Sequence, residues 1–154
     1  MSLRMTKAER EEFLAALHVG IISIDEAGRG PLTVPIWYGY EPGGELWIVT
    51  AEASRKGRLL KQAERFSLCA QTEQPPYKYV TVEGPITSIT SSVLERDERP
   101  LAHRYLGAEF GDQYIEATGG TAARVSSVLV KMRPEHWLTV DYAKEFSAGG
   151  DSIA

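Results

Sequence analysis

Thr50, Ser54, Arg55 and Lys56 bring two hydroxyls and two cations into one short stretch of the chain. Upstream, residues 45–50 read as a buried strand ending at Thr50, and a helix opens near Ser54. The first turn of a helix exposes amide hydrogens with partial positive charge and ordinarily attracts acids. Arg55 and Lys56 stand there instead. Amide donors, hydroxyls and cations converging on one spot suit a phosphate or other anion. A solvated basic helix is the competing reading, because Arg58, Lys61 and Arg65 carry the charge away from the turn.

Few other side chains offer chemistry. His18, His103 and His136 lie far apart and show no ligand spacing among themselves or with Cys69, so no metal site is expected. No nucleophile elbow surrounds Ser23, Ser54, Ser67 or Ser88. Glu95, Asp97 and Glu98 alternate with Arg96 and Arg99, the pattern of a solvated helical face. Cys69 sits in the apolar run 66–70, which favours a buried thiol over a nucleophile. No catalytic side chain stands out, and any redox chemistry would belong to a borrowed cofactor that the protein holds and orients.

The elements that must position these groups follow from periodicity. A chain of 154 residues suits one domain, expected over residues 4–146, with 147–154 as a flexible C-terminal tail. Its net charge of -4 argues against a general nucleic-acid binder, so an anion site would have to be local. No segment reaches the ~18 apolar residues of a membrane span, and no signal peptide opens the chain. The expectation is a cytoplasmic protein with no membrane partner.

Thr6 and Glu9 have capping-box spacing, and Phe13, Leu14 and Leu17 give the first helix an apolar face. Strands are predicted over 19–25, 31–40, 45–50, 66–72, 77–89, 124–132 and 136–142. Pro35 removes a ladder donor from the second of these, which marks an edge, a bulge, or a place where something other than a strand approaches. Gly84 and Pro85 predict a bend or bulge in the long strand. Between 92 and 120, Ser92 with Glu95 fits a capping box, Pro100 starts a helical piece with an apolar face of Leu101, Tyr105 and Leu106 that Gly107 stops, and Gly111 with Asp112 caps a further turn through Tyr114 and Ile115. The pattern predicts a mainly β protein: six or seven strands in an antiparallel barrel with helical insertions.

The order of these blocks resembles the pyridoxamine 5'-phosphate oxidase-like split barrels, in particular their smaller flavin/deazaflavin oxidoreductase branch. The residues that carry the resemblance are Pro35, Ile36, Trp37 and Tyr38; Leu46 to Thr50 followed by Ser54, Arg55 and Lys56; Tyr79 to Gly84; and Pro134 to Trp137 with Asp141, Tyr142 and Lys144. The resemblance implies an FMN-binding split barrel that forms a homodimer with cofactor sites at the interface. It implies FMN or a deazaflavin (coenzyme F420) as cofactor, its ring along Pro35, Ile36 and Trp37. Thr50, Ser54, Arg55 and Lys56 would meet the phosphate end, Val49 would also belong to the cofactor site, and Tyr79 would arrive from the other subunit. Trp137, also expected to approach from the other subunit, and Tyr38 would face the substrate.

The implied activity is hydride transfer from the reduced cofactor to an unsaturated organic small molecule. The alternatives are a flavin carrier or sensor without turnover and a scaffold dimer with an empty cleft. The basic C-terminal segment of full-length pyridoxamine 5'-phosphate oxidases has no counterpart after Lys144, so vitamin B6 oxidation is not expected.

Overall fold

A computed structural model describes residues 2–119 and 126–146. The expected tail 147–154 lies outside them, as do the first residues of the strand expected over 124–132. The element order is α1 (Lys7–Ala15), β1 (Gly20–Ile24), β2 (Leu32–Ile36), β3 (Leu46–Ala51), α2 (Arg55–Gln62), β4 (Arg65–Gln71), β5 (Lys78–Ser91), α3 (Arg99–Gly119), β6 (Ser127–Met132) and β7 (His136–Asp141). All strand pairs are antiparallel, in the order β2-β1-β4-β5-β6-β3 with β7 also on β5. This is the mainly β, antiparallel architecture with helical insertions that the sequence pattern predicts, in the split-barrel form that the resemblance implies.

Period-two alternation builds the interior. Ile22 and Ile24 of β1, Leu46 and Ile48 of β3, Leu68 of β4, and Val80 and Val82 of β5 are all fully buried. Leu14 from α1 and Leu60 from α2 plug the same core. Each such side chain contributes roughly 1.5–3 kcal/mol relative to exposure. Cys69 falls on the opposite face of β4 and is half-buried, less enclosed than its apolar run suggested.

The long strand β5 serves two sheets. Its first half lies between β4 and β7, and its second half pairs with β6 after a register shift between Ile86 and Ser88. The bend expected at Gly84 and Pro85 therefore falls slightly later. Pro35 lies on β2, an edge of the sheet, so its missing amide costs no ladder bond to an outer neighbour.

The strand expected over 31–40 ends at Ile36, because the chain there leaves β1 and crosses to β3. Gly39 and Trp47 exchange backbone hydrogen bonds of 2.9 and 3.0 Å. A Cβ on Gly39 would lie 2.1 Å from the Trp47 indole, so only glycine allows this closure. Trp37 and Tyr38 consequently sit beyond the strand rather than within it.

The helices differ most from expectation. The α1 capping box forms as predicted, with Thr6 Oγ1 accepting from the Glu9 amide at 3.2 Å, but the helix stops at Ala15 and leaves Leu17 exposed. Ser92 and Glu95 form no capping box. Residues Leu94–Glu98 make a single π-type turn whose entry is held by Asp97, which accepts the Val93 amide at 2.8 Å. Asp97 is buried and ion-paired to Arg96 at 2.8 Å, so the acidic run is not simply a solvated face. Gly107 (φ 81°, ψ 169°) leaves helical geometry and stops the first helical piece as expected, so α3 is two helices joined across a kink, and Gly111 and Asp112 lie inside the second instead of capping it. Asp112 bonds His103 at 2.7 Å and Arg99 at 2.6 Å, tying the two sides of the kink together.

Candidate functional site

A cleft opens where the end of β2, the end of β3 and the start of α2 meet the inner side of α3. Its two lobes, about 310 and 270 Å³, share Trp37, Val49, Leu101 and Tyr114. The outer lobe adds Pro35, Ile36 and Lys56, and the inner lobe adds Thr50 and Glu98. Six of the predicted cofactor residues thus converge on one place: Pro35, Ile36, Trp37, Val49, Thr50 and Lys56.

Packing at α2 fixes the polar corner of this cleft. Gly57 is buried against the end of β3, where a Cβ would lie 2.3 Å from the Ala51 carbonyl oxygen and 2.6 Å from that of Glu52. No other residue type lets the helix start so close to the strand. Ser54 is the N-cap: its Oγ accepts the Gly57 amide at 3.0 Å and donates to the Ala51 carbonyl at 2.7 Å. Its hydroxyl is thereby committed to the turn, with Thr50 Oγ1 3.3 Å away. The amides of Arg55 and Lys56 have no acceptor among the described residues, as expected for the first positions of a helix.

The two first-turn cations part company. Arg55 pairs with Glu26 in the β1–β2 turn, and its guanidinium holds the Glu26 carboxyl below the usual range. Lys61 likewise engages Glu52. Lys56 is half-buried at the cleft and makes no ion pair with any described residue. Among the described residues the cleft therefore keeps one ammonium without an ion pair, not the two that the residue types suggested, with Glu98 as the acid on its inner lobe.

The aromatic wall comes from α3. Trp37 stacks on Tyr105 with centroids 5.1 Å apart and planes 4° from parallel, and Tyr114 lies 5.2 Å away at 53°. Tyr105 Oη donates to the His18 carbonyl at 2.6 Å and accepts the Tyr38 amide at 3.2 Å, which moors the helix to the barrel. Sequence reasoning saw Leu101 and Tyr105 only as an apolar helix face and missed Glu98 and Tyr114 as cleft residues. The four-residue spacing of Leu101 and Tyr105 was the available signal, whereas the kink at Gly107 breaks the periodicity that would have tied Tyr114 to them.

Three expected residues lie elsewhere. Tyr38 is fully buried in the core and its hydroxyl donates to the Leu14 carbonyl at 2.7 Å, so it presents no surface to a substrate; burial pushes its phenol pKa up. Tyr79 is half-buried on β5 opposite Gln71 and Val140, outside the cleft of its own chain. Trp137 lies under Arg10 and edge-on to Tyr40, lining a separate groove. Among the described residues no group of histidine, cysteine or acidic side chains could hold a metal ion, and no helix is long and apolar enough to cross a membrane.

No family model matches the sequence, and no curated protein matches it. Solved structures do. A conserved hypothetical protein from Mycobacterium tuberculosis superposes with a TM-score of 0.72 at 20% identity, covering 92% of this chain and 88% of that one. An F420 reductase gives 0.64 at 20% identity over 83% and 94% of the two chains. A candidate pyridoxamine 5'-phosphate oxidase from Listeria innocua gives 0.61 at 10% identity over 86% and 96%. Strand order, the shared β5 and these superpositions agree that the chain has the split-barrel fold of the pyridoxamine 5'-phosphate oxidase-like proteins.

Proposed function

We propose that the protein is an oxidoreductase that binds FMN or the deazaflavin coenzyme F420 in this cleft and delivers a hydride to an unsaturated organic molecule. The observation that carries the reading is the meeting of the Lys56 ammonium and the open first-turn amides of α2 with a flat wall of Pro35, Ile36 and Trp37. Similarity in fold to an F420 reductase supports the choice of cofactor class.

The donor set fits such a group. Lys56, the Arg55 and Lys56 amides and Thr50 would hold its phosphate, a charge-assisted arrangement on a rigid helix start. Pro35 offers no amide to compete for the ring, and the Trp37 and Tyr114 side chains would exclude water from it. The bound ring supplies the hydride, and the chain supplies position and a dry, low-dielectric surround. Homodimerisation, with Tyr79 of the partner subunit closing the cleft, belongs to the same proposal.

Fluorescence titration with FMN and with reduced F420 tests it, followed by oxidation of the reduced cofactor in the presence of an unsaturated acceptor. Binding of at least one cofactor at about 10 µM or tighter, weakened by Lys56→Ala, is expected. Affinity weaker than about 1 mM for both cofactors, or indifference to Lys56→Ala, refutes the cofactor assignment. Tight binding without oxidation by any acceptor leaves a carrier rather than an enzyme.

A further inference from the structure

A second concave site lies at the opposite end of β3. The groove, about 470 Å³, runs between α1 and the loops that enter β3 and β7. Its volume is within the ~300–1,000 Å³ typical of ligand sites. Lys7, Arg10 and Arg133 line it together with Tyr40 and Trp137. The strand between this groove and the cleft spans roughly 17 Å by its rise per residue, so the two sites are distinct.

The cations here are poorly compensated. Arg10 lies with its guanidinium carbon 4.6 Å from the centre of the Trp137 ring, and its Nε is buried without a hydrogen-bond partner. Stacking orients the guanidinium, and an unmet buried donor is uncommon enough to call for an explanation. Lys7 makes no ion pair with any described residue. Arg133 reaches only Glu135 at 3.9 Å, and that carboxylate is already claimed by Arg65 at 2.9 Å and His136 at 3.2 Å. Two acids, Glu11 and Glu45, also line the groove; neither is ion-paired to a described residue, Glu45 accepts a hydrogen bond from the Thr87 hydroxyl, and the three cations leave the lining with one positive charge in excess.

We propose that this groove binds an organic oxyanion, a phosphate monoester or a carboxylate, clamped by Arg10, Lys7 and Arg133. The aromatic pair Tyr40 and Trp137 forms the apolar side that a purely inorganic ion would not need. The proposal does not depend on the cofactor reading.

The test follows the indole N–H resonance of Trp137, assigned with Trp137→Phe, while phenyl phosphate or benzoate is added to the full chain. Saturable shifts are expected with at least one of them, and the stronger of the two identifies the headgroup. Phenol is expected to bind at least about tenfold more weakly and benzylamine not at all, because recognition is by charge. Arg10→Gln and Arg133→Gln should each weaken binding about tenfold, Glu11→Gln should tighten it, and Lys56→Ala should leave it unchanged. No saturable shift up to on the order of 10 mM, equal binding of phenol, or two arginine variants that titrate like the parent protein would overturn the proposal. Arg133 is largely exposed, so its variant serves if Arg10→Gln fails to fold.

Discussion

The two proposed anion sites, one at each end of β3, are built by different means. At the Ala51 end, backbone amides, a helix start pressed into place by Gly57 and one unpaired lysine face an aromatic wall. At the Glu45 end, three long cationic side chains converge, one of them stacked on an indole. The first corner is a property of the fold, because the donors cannot move without unpacking α2. The second is a property of side chains and of α1. A backbone-built site suits a permanent occupant, whereas a side-chain site tolerates exchange and is more readily screened by salt.

Gly57→Ala is the strongest way to break this contrast. The added methyl overlaps two carbonyl oxygens, so a loss of about 3 kcal/mol in urea unfolding is expected, with cofactor binding lost at the Ala51 end and the Glu45-end groove retained in any folded fraction. Lys56→Ala comes next: cofactor affinity should fall about tenfold, near 1.4 kcal/mol, with unfolding unchanged. Arg55→Ala sharpens the distinction within one helical turn, because Arg55 is already engaged by Glu26; fluorescence titration should show less than about a threefold change. If the two variants weaken binding equally, the division of labour between them is wrong.

A separate test concerns α1, which carries Lys7 and Arg10. Hydrogen bonding from Lys144, and then from the Thr6 backbone, lowers the Glu9 carboxyl pKa to about 2. A depressed carboxyl contributes stability above its ordinary value of 4.5 and loses that contribution as pH falls through the interval down to about 2. Melting followed across that window should show a modest acid destabilisation that Lys144→Ala diminishes. The Thr6→Ala cap variant should cost about 1 kcal/mol at neutral pH.

Much of this was legible in the residues. Alternation located the strands, Ser54 announced the start of α2, and Pro35 marked an edge. What stayed hidden depends on contacts distant in sequence. Nothing near Arg55 indicates that Glu26, in another turn, neutralises it, and nothing near Tyr38 shows that its hydroxyl reaches the Leu14 carbonyl across the core. The aromatic wall escaped because Gly107 resets the helical phase between Tyr105 and Tyr114. Spacing reveals which side chains share an element, but tertiary pairing decides which of them remain available.

The strand that belongs to both sheets has a bearing on how the molecule comes apart. Because β4, β6 and β7 all lean on β5, neither sheet can melt and leave the other standing. The amides of Val80 and Val82, deep in its first half, should be the last to exchange with deuterated solvent, through whole-domain opening rather than fraying. Both proposed sites would then vanish in one concerted event.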